Sequence, residues 1–177
     1  MRTGVRVLTA VIAAGVAVAC SDPTAAPLPS ASPSTAAPSS SSPSPSATDF
    51  AGEVRAAIET YYRTLNQAAH QPASQTEALA ALIDPGCPCF AVVRFLRQEA
   101  ERGRYLDYSY SARDVRVIDA GSLGANATYV VVQSPGSERT NDGRIVASFP
   151  GSTERFSVRF IRTADGRWLL NRAERVR

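Results

Sequence analysis

Two cysteines one residue apart, a single histidine, and scattered carboxylates and tyrosines are the residues of this chain best suited to chemistry. Cys87-Pro88-Cys89 is the sharpest local feature. In an oxidising compartment such a pair reads first as a disulfide, strained because side chains two apart must turn toward each other. Its plainest role is to fix the turn before the next helix. A strained bridge is the more reducible kind, and helix N-termini lower thiol pKa values, so a redox role comes second. Metal binding is weaker, because one C-x-C motif and a distant His70 fall short of a full ligand set. Any histidine-based dyad must use His70, which sits beside Gln71-Pro72 in a helix-connecting loop and reads as solvated. The sequence has no G-x-S-x-G, no phosphate-cradling glycine loop and no H-E-x-x-H. No catalytic residue, metal or cofactor is assigned.

The elements that carry these residues follow from periodicity. Phe50, Val54, Ile58, Tyr61, Leu65 and Ala69 recur every three or four residues, which is one face of an amphipathic helix. Residues 70–73 end it, and Ser74 with Glu77 makes a capping box for a short second helix through Leu79, Leu82 and Ile83. Asp84-Pro85-Gly86 breaks that helix. A third starts near Pro88, buries Phe90, Val93, Leu96 and Ala100, and closes at Gly103. Beyond Gly103 the period becomes two. Strands are expected at 105–111, 115–120, 125–133, 154–163 and 167–175, with a further hairpin from 138–140 to 144–149 around Asn141-Asp142-Gly143. Phe156, Val158 and Phe160 alternate with Arg155, Ser157 and Arg159, separating a buried face from a wet one. The expected class is α+β, with three N-terminal helices packed on a curved, mostly antiparallel sheet.

The start of the chain has another character. Residues 1–19 carry Arg2 and Arg6, an apolar run from Val7 to Ala19, and small residues before Cys20, the layout of a secretory signal. The run is shorter than the roughly 20 apolar residues that a membrane span needs. Ala17-Val18-Ala19-Cys20 resembles the lipobox of bacterial lipoproteins, which implies a diacylglyceryl group on Cys20 and a lipid-anchored protein on the extracytoplasmic side of the cell membrane; Ala17-Val18-Ala19 also reads as an ordinary cleavage site that releases a soluble product. Residues 20–48 are nearly all Ser, Pro, Ala and Thr and cannot bury enough apolar surface to offset their ordering entropy, so they are expected to form a disordered tether. The folded domain is expected at 49–177. The net charge is +3 and every base is Arg. Acids and bases interleave, as in Arg97, Glu99, Glu101 and Arg102, so no nucleic-acid partner is expected.

Three helices followed by a curled sheet resemble the nuclear transport factor two-like fold, also called SnoaL-like or cystatin-like. Within it the chain resembles an uncharacterised family of actinobacterial lipoproteins, through Tyr61-Tyr62-Arg63-Thr64-Leu65-Asn66, the cysteine pair after Asp84-Pro85, and Asp165-Gly166-Arg167-Trp168. The cysteines stand one residue closer than the C-x-x-C of those relatives. The resemblance implies a cone with a pocket, for which Tyr62, Asp84, Tyr108 and Trp168 are the selected lining residues. Tyr110 and Tyr129 are further aromatic candidates, and Asp107 and Glu154 further acids. Each has a plainer role in core, turn or strand. The leading expectation is a non-enzymatic module at the cell envelope that binds a small apolar ligand or an envelope protein. The alternative is a SnoaL-like enzyme doing acid/base chemistry on a small apolar substrate.

Overall fold

The computed structural model describes residues 47–176. The expected leader, the expected lipidation site Cys20 and all but the last two residues of the expected tether lie outside that range. The first helix, α1 (Ala47–His70), begins two residues before the expected boundary and runs for 24 residues. Every residue of its predicted apolar face is buried: Phe50, Val54, Ile58, Tyr61, Leu65 and Ala69. Among the described residues no helix is long and apolar enough to cross a membrane.

The second helix, α2 (Pro72–Ala80), starts earlier than the capping box predicts. Pro72 occupies the first turn, where its fixed φ suits a helix and its missing N–H costs nothing. Ser74 is therefore already inside the helix, and its hydroxyl donates to the Gln71 carbonyl (3.4 Å). The helix ends at Ala80 because the next residues join the sheet: Leu170 N donates to Leu82 O (3.0 Å) and Asp84 N to Leu170 O (2.9 Å). A single 3-10 turn at Pro88–Phe90 leads into α3 (Ala91–Glu101). Gly103 at φ +65° then closes α3, in a left-handed conformation that a Cβ disfavours.

Seven strands follow: β1 (Arg104–Asp107), β2 (Tyr110–Ala120), β3 (Gly124–Gln133), β4 (Gly136–Thr140), β5 (Ile145–Phe149), β6 (Ser152–Arg162) and β7 (Trp168–Val176). They form two antiparallel sheets, in the orders β1-β4-β5 and β2-β3-β6-β7. The sequence suggested one strand over 105–111 and a break before 115. The break instead falls at Tyr108–Ser109, where the chain passes from one sheet to the other. Gly136 makes that crossing possible, since a Cβ there would strike the Asp107 carbonyl and come within 2.6 Å of Tyr108 Cβ.

Three irregularities bend the larger sheet. In β2 one extra residue enters between Arg113 and Arg116, beside Asp114 at φ +54°, and another between Val117 and Asp119. In β7 Asn171 is extra, because Phe160 pairs with Leu170 while the adjacent Arg159 pairs with Arg172. Bulges increase local twist and curl a sheet. The concave face carries Ala125, Ala127, Tyr129, Val158, Phe160 and Leu170, all buried. Ile58 is 1% and Phe160 2% exposed.

Asn66 fixes where β2 begins. Its amide donates to the Tyr110 carbonyl (2.9 Å) and accepts from the Tyr110 N–H (2.7 Å), satisfying the outward donor and acceptor of an edge residue from the side of α1. Asn66→Ala leaves both groups without that partner, and we expect a loss of about 1–3 kcal/mol, measured by urea unfolding. A variant as stable as the parent would show that the edge needs no clamp.

Candidate functional site

The fold leaves a cavity of about 270 Å³ between α1, the 3-10 turn and the concave sheet. From α1 come Tyr61, Tyr62 and Leu65, from β2 Tyr110, from β3 Tyr129 and Val131, from β6 Phe156, from β7 Leu170 and Ala173, and from the 3-10 turn Cys89. Tyr61 and Tyr62 are adjacent on α1, and their rings meet edge-on at 5.1 Å. Tyr62 in turn packs edge-on against Tyr129 (5.7 Å), and its hydroxyl donates to that of Tyr129 (3.3 Å). Ligand pockets for drug-sized molecules run from about 300 Å³ upward. This one suits something smaller.

Burial decides the protonation of this cluster. Desolvation raises the pKa of Tyr61, Tyr62 and Tyr110 above the ordinary phenol value, and pushes Tyr129 up to about 12. All four are neutral hydroxyls over the physiological range. They can donate or accept a hydrogen bond, but none is a base at neutral pH.

A second, larger hollow of about 430 Å³ lies between α1, residues 81–82 and the β6–β7 hairpin. Here Trp168 Nε1 donates to Glu53 Oε2 (2.8 Å), and Arg162 Nη2 lies 3.3 Å from the same oxygen. The Arg162 guanidinium stacks over the rings of Phe50 (5.1 Å) and Trp168 (5.8 Å). Its charge is thus matched from within the chain by a carboxylate and two aromatic faces.

The four residues selected from the sequence are not brought together. Tyr62 lines the tyrosine cavity and Trp168 the larger groove. Tyr108 packs edge-on between Tyr110 (5.4 Å) and Phe149 (5.6 Å). Asp84 is a turn residue: its carboxylate accepts from Gly86 N (3.2 Å) and from the bulged Asn171 amide (2.6 Å). The other acids are equally occupied, Asp107 with Arg139 (3.0 Å) and Glu154 with Arg175 (3.0 Å). His70 ends α1 and borders a small cleft with Arg104 and Tyr105. Sequence reasoning missed Glu53 and Arg162. The available signal was a charge three residues after Phe50, on the flank of the buried face of α1.

Cys87 and Cys89 have their Cα atoms 5.1 Å apart, and the disulfide expected between them is disfavoured, because a single intervening residue strains the geometry a bridge requires. The Cys89 N–H donates to Cys87 Sγ (3.1 Å), so Cys87 caps the 3-10 turn. Among the described residues no cluster of three His, Cys, Asp or Glu is placed to hold a metal.

A curled antiparallel sheet wrapped on a long helix, with a hollow at its open side, defines the nuclear transport factor two-like, or cystatin-like, class. Solved structures are similar to this chain in fold, one of them described as belonging to that class. A candidate dehydratase of the nuclear transport factor two-like family from Streptomyces avermitilis has a TM-score of 0.50 at 18% identity, covering 72% of this chain and 95% of that one. A candidate aromatic ring hydroxylase from Novosphingobium aromaticivorans has a TM-score of 0.53 at 12% identity, covering 72% and 88%. The intermembrane space region of the chloroplast protein ARC6 scores 0.53 at 13% identity, covering 76% and 98%. At such identities the likeness is one of fold. No family model matches the chain, and no curated protein matches it in sequence.

Because the folded state holds these phenols protonated and the unfolded chain releases their protons near pH 10, their contribution to stability is complete below pH 10. It is lost as pH rises from 10 through the raised values, since the unfolded state then binds fewer protons. We expect unfolding to set in between about pH 10 and 12, and Tyr129→Phe, which cannot ionise, to move the alkaline midpoint upward. Absorbance at the phenolate band checks this: tyrosines that titrate normally near pH 10 in the folded protein would contradict the desolvated cluster.

Proposed function

We propose that the domain is a non-enzymatic binding module for a small, neutral, ring-containing molecule, displayed at the cell envelope by a lipid on Cys20. One observation carries the ligand reading: the tyrosine cavity is apolar apart from phenol hydroxyls, which stay neutral, and Cys89. No carboxylate or imidazole is among the residues lining it. Burying a ring against these walls provides affinity, about 25 cal/mol per Å² of apolar surface. The Tyr62–Tyr129 hydroxyl pair then offers a hydrogen bond to orient one polar substituent. Acid/base catalysis needs a group poised near neutral pH, and Asp84, Asp107 and Glu154 are engaged elsewhere. The lipid anchor and the kinship to actinobacterial lipoproteins rest on the sequence motifs alone.

Calorimetric titration with one- and two-ring neutral aromatics, 1-naphthol among them, tests the cavity. Ala173→Phe, which fills it, is expected to weaken binding at least tenfold, whereas Ala81→Phe, which lines the larger groove from outside α1, leaves it unchanged. If no compound binds at millimolar concentration, or if Ala173→Phe binds as well as the parent, the reading fails. Chemical conversion of the bound compound would put the SnoaL-like acid/base enzyme first. For the anchor, mass spectrometry of the mature protein is expected to find an acylated N-terminal Cys20, and an unacylated product in the culture medium would refute it.

A further inference from the structure

We infer that the outer face of the larger sheet is a docking surface for an anionic lipid bilayer, with arginines of β2, β6 and β7 receiving the headgroup phosphates. It lies across the sheet from the tyrosine cavity and does not rest on the ligand reading.

Strand register gathers these arginines. Ala125, Ala127, Tyr129 and Val131 of β3 are buried toward α1, so Asn126, Thr128 and Val130 between them point outward. Val130 pairs with Arg113 of β2 on one side and Arg155 of β6 on the other. Thr128 pairs with Arg116, and Asn126 with Arg159, which pairs in turn with Arg172 of β7. Directly opposed residues share a face, and all five arginines are exposed. Arg113 and Arg155 stand two strand spacings apart, about 10 Å, and Arg155 and Arg159 about 13 Å apart along β6.

Little in the chain counters this charge. Among the described residues Arg113, Arg116, Arg155 and Arg159 make no ion pair. Two carboxylates share the face, and each is engaged there: Glu174 with Arg172, and Asp119 with the Asn126 amide and backbone N–H. A third, Asp114, stands in the β2 bulge beside Arg113. Over residues 47–176 arginines and carboxylates nearly balance, so the excess on this face leaves the remainder of the domain acidic. The asymmetry orients the domain toward a negative surface.

Charge also selects the occupant. A second copy laid face to face would set arginine against arginine. An anionic bilayer offers many phosphates in one layer, each able to accept two parallel N–H donations from a guanidinium. The long arginine stems let the margins of a curved sheet reach that layer together with its centre. Two exposed apolar side chains favour a bilayer over a soluble polyanion. Ile118 is 65% and Leu123 82% exposed, both at the β2–β3 end of the same sheet. Seating the arginines brings that end to the boundary between headgroups and acyl chains, where apolar side chains are stabilised.

The test mixes the full chain with vesicles of phosphatidylcholine alone or of phosphatidylcholine and phosphatidylglycerol in equal parts, modifies arginines with phenylglyoxal and maps the products peptide by peptide. Reading each site separates the face from the N-terminal segment, which has arginines of its own. Arg113, Arg116, Arg155 and Arg159 are expected to react about fivefold more slowly on the phosphatidylglycerol vesicles. Arg55 of α1 and Arg94 of α3 are expected to react alike on both. Salt at about 1 M, where the screening length is about 3 Å, is expected to abolish the difference. Arg155→Gln combined with Arg159→Gln is expected to restore the modification of Arg113 and Arg116. Equal reaction of the four arginines on the two kinds of vesicle overturns the docking surface, a result that needs no variant to fold. Equal slowing of Arg55 and Arg94 overturns the choice of face, and protection by soluble polyphosphate but not by vesicles overturns the bilayer as occupant. Leu123→Trp is expected to shift fluorescence to the blue on phosphatidylglycerol vesicles, relative to the parent with Trp168 alone; an unshifted spectrum overturns the apolar contact.

Discussion

A flat sheet cannot cover a long helix, so the structure depends on the bending of β2-β3-β6-β7 around α1. The bend comes from single extra residues near Asp114, Ile118 and Asn171, placed on the two outer strands while β3 and β6 pair without a register shift. A regular centre with irregular margins closes the sheet over α1. This is why Ile58, Phe160 and Leu170 are almost fully buried. The same bulge that bends β7 turns Asn171 toward Asp84, which ties the turn after α2 to the sheet. Curvature and the location of the cysteine pair therefore have a common origin.

The two hollows differ in chemistry because they differ in how charge is handled. The larger groove contains an ion pair whose arginine stacks on aromatic faces, so its charge is countered from within the chain, although Arg162 Nε is buried without a hydrogen-bond partner among the described residues. The tyrosine cavity has no formal charge to satisfy. Its polarity is limited to Cys89 and to phenols that desolvation keeps protonated, so its walls carry no charge at neutral pH.

Much of this architecture was legible in the sequence, and the reason is periodicity. The face of α1, the alternation of Val158 and Phe160 with Arg159, and the hairpin at Asn141-Asp142-Gly143 are local patterns, and each appears where expected, while Phe156 at the end of that alternation is only half-buried. What escaped were events decided by distant contacts. The strand break at Tyr108 depends on the approach of Gly136, nearly thirty residues away. Pro72 started α2 ahead of the Ser74 signal because a proline in the first turn is a sufficient start. The site was legible only in kind. Aromatic residues on strands and on α1 announced a greasy interior, but alternation states which side a residue faces and not which hollow it meets. Tyr62 and Trp168 are thus both inward-facing and yet line separate spaces.

Tyr61 borders both of those spaces. One ring serves as a party wall between a neutral chamber and a charge-balanced one. Room gained on one side by tilting it is room taken from the other, so neither compartment can be enlarged at this point independently. A lineage enlarging one chamber has to remodel its neighbour or move the partition.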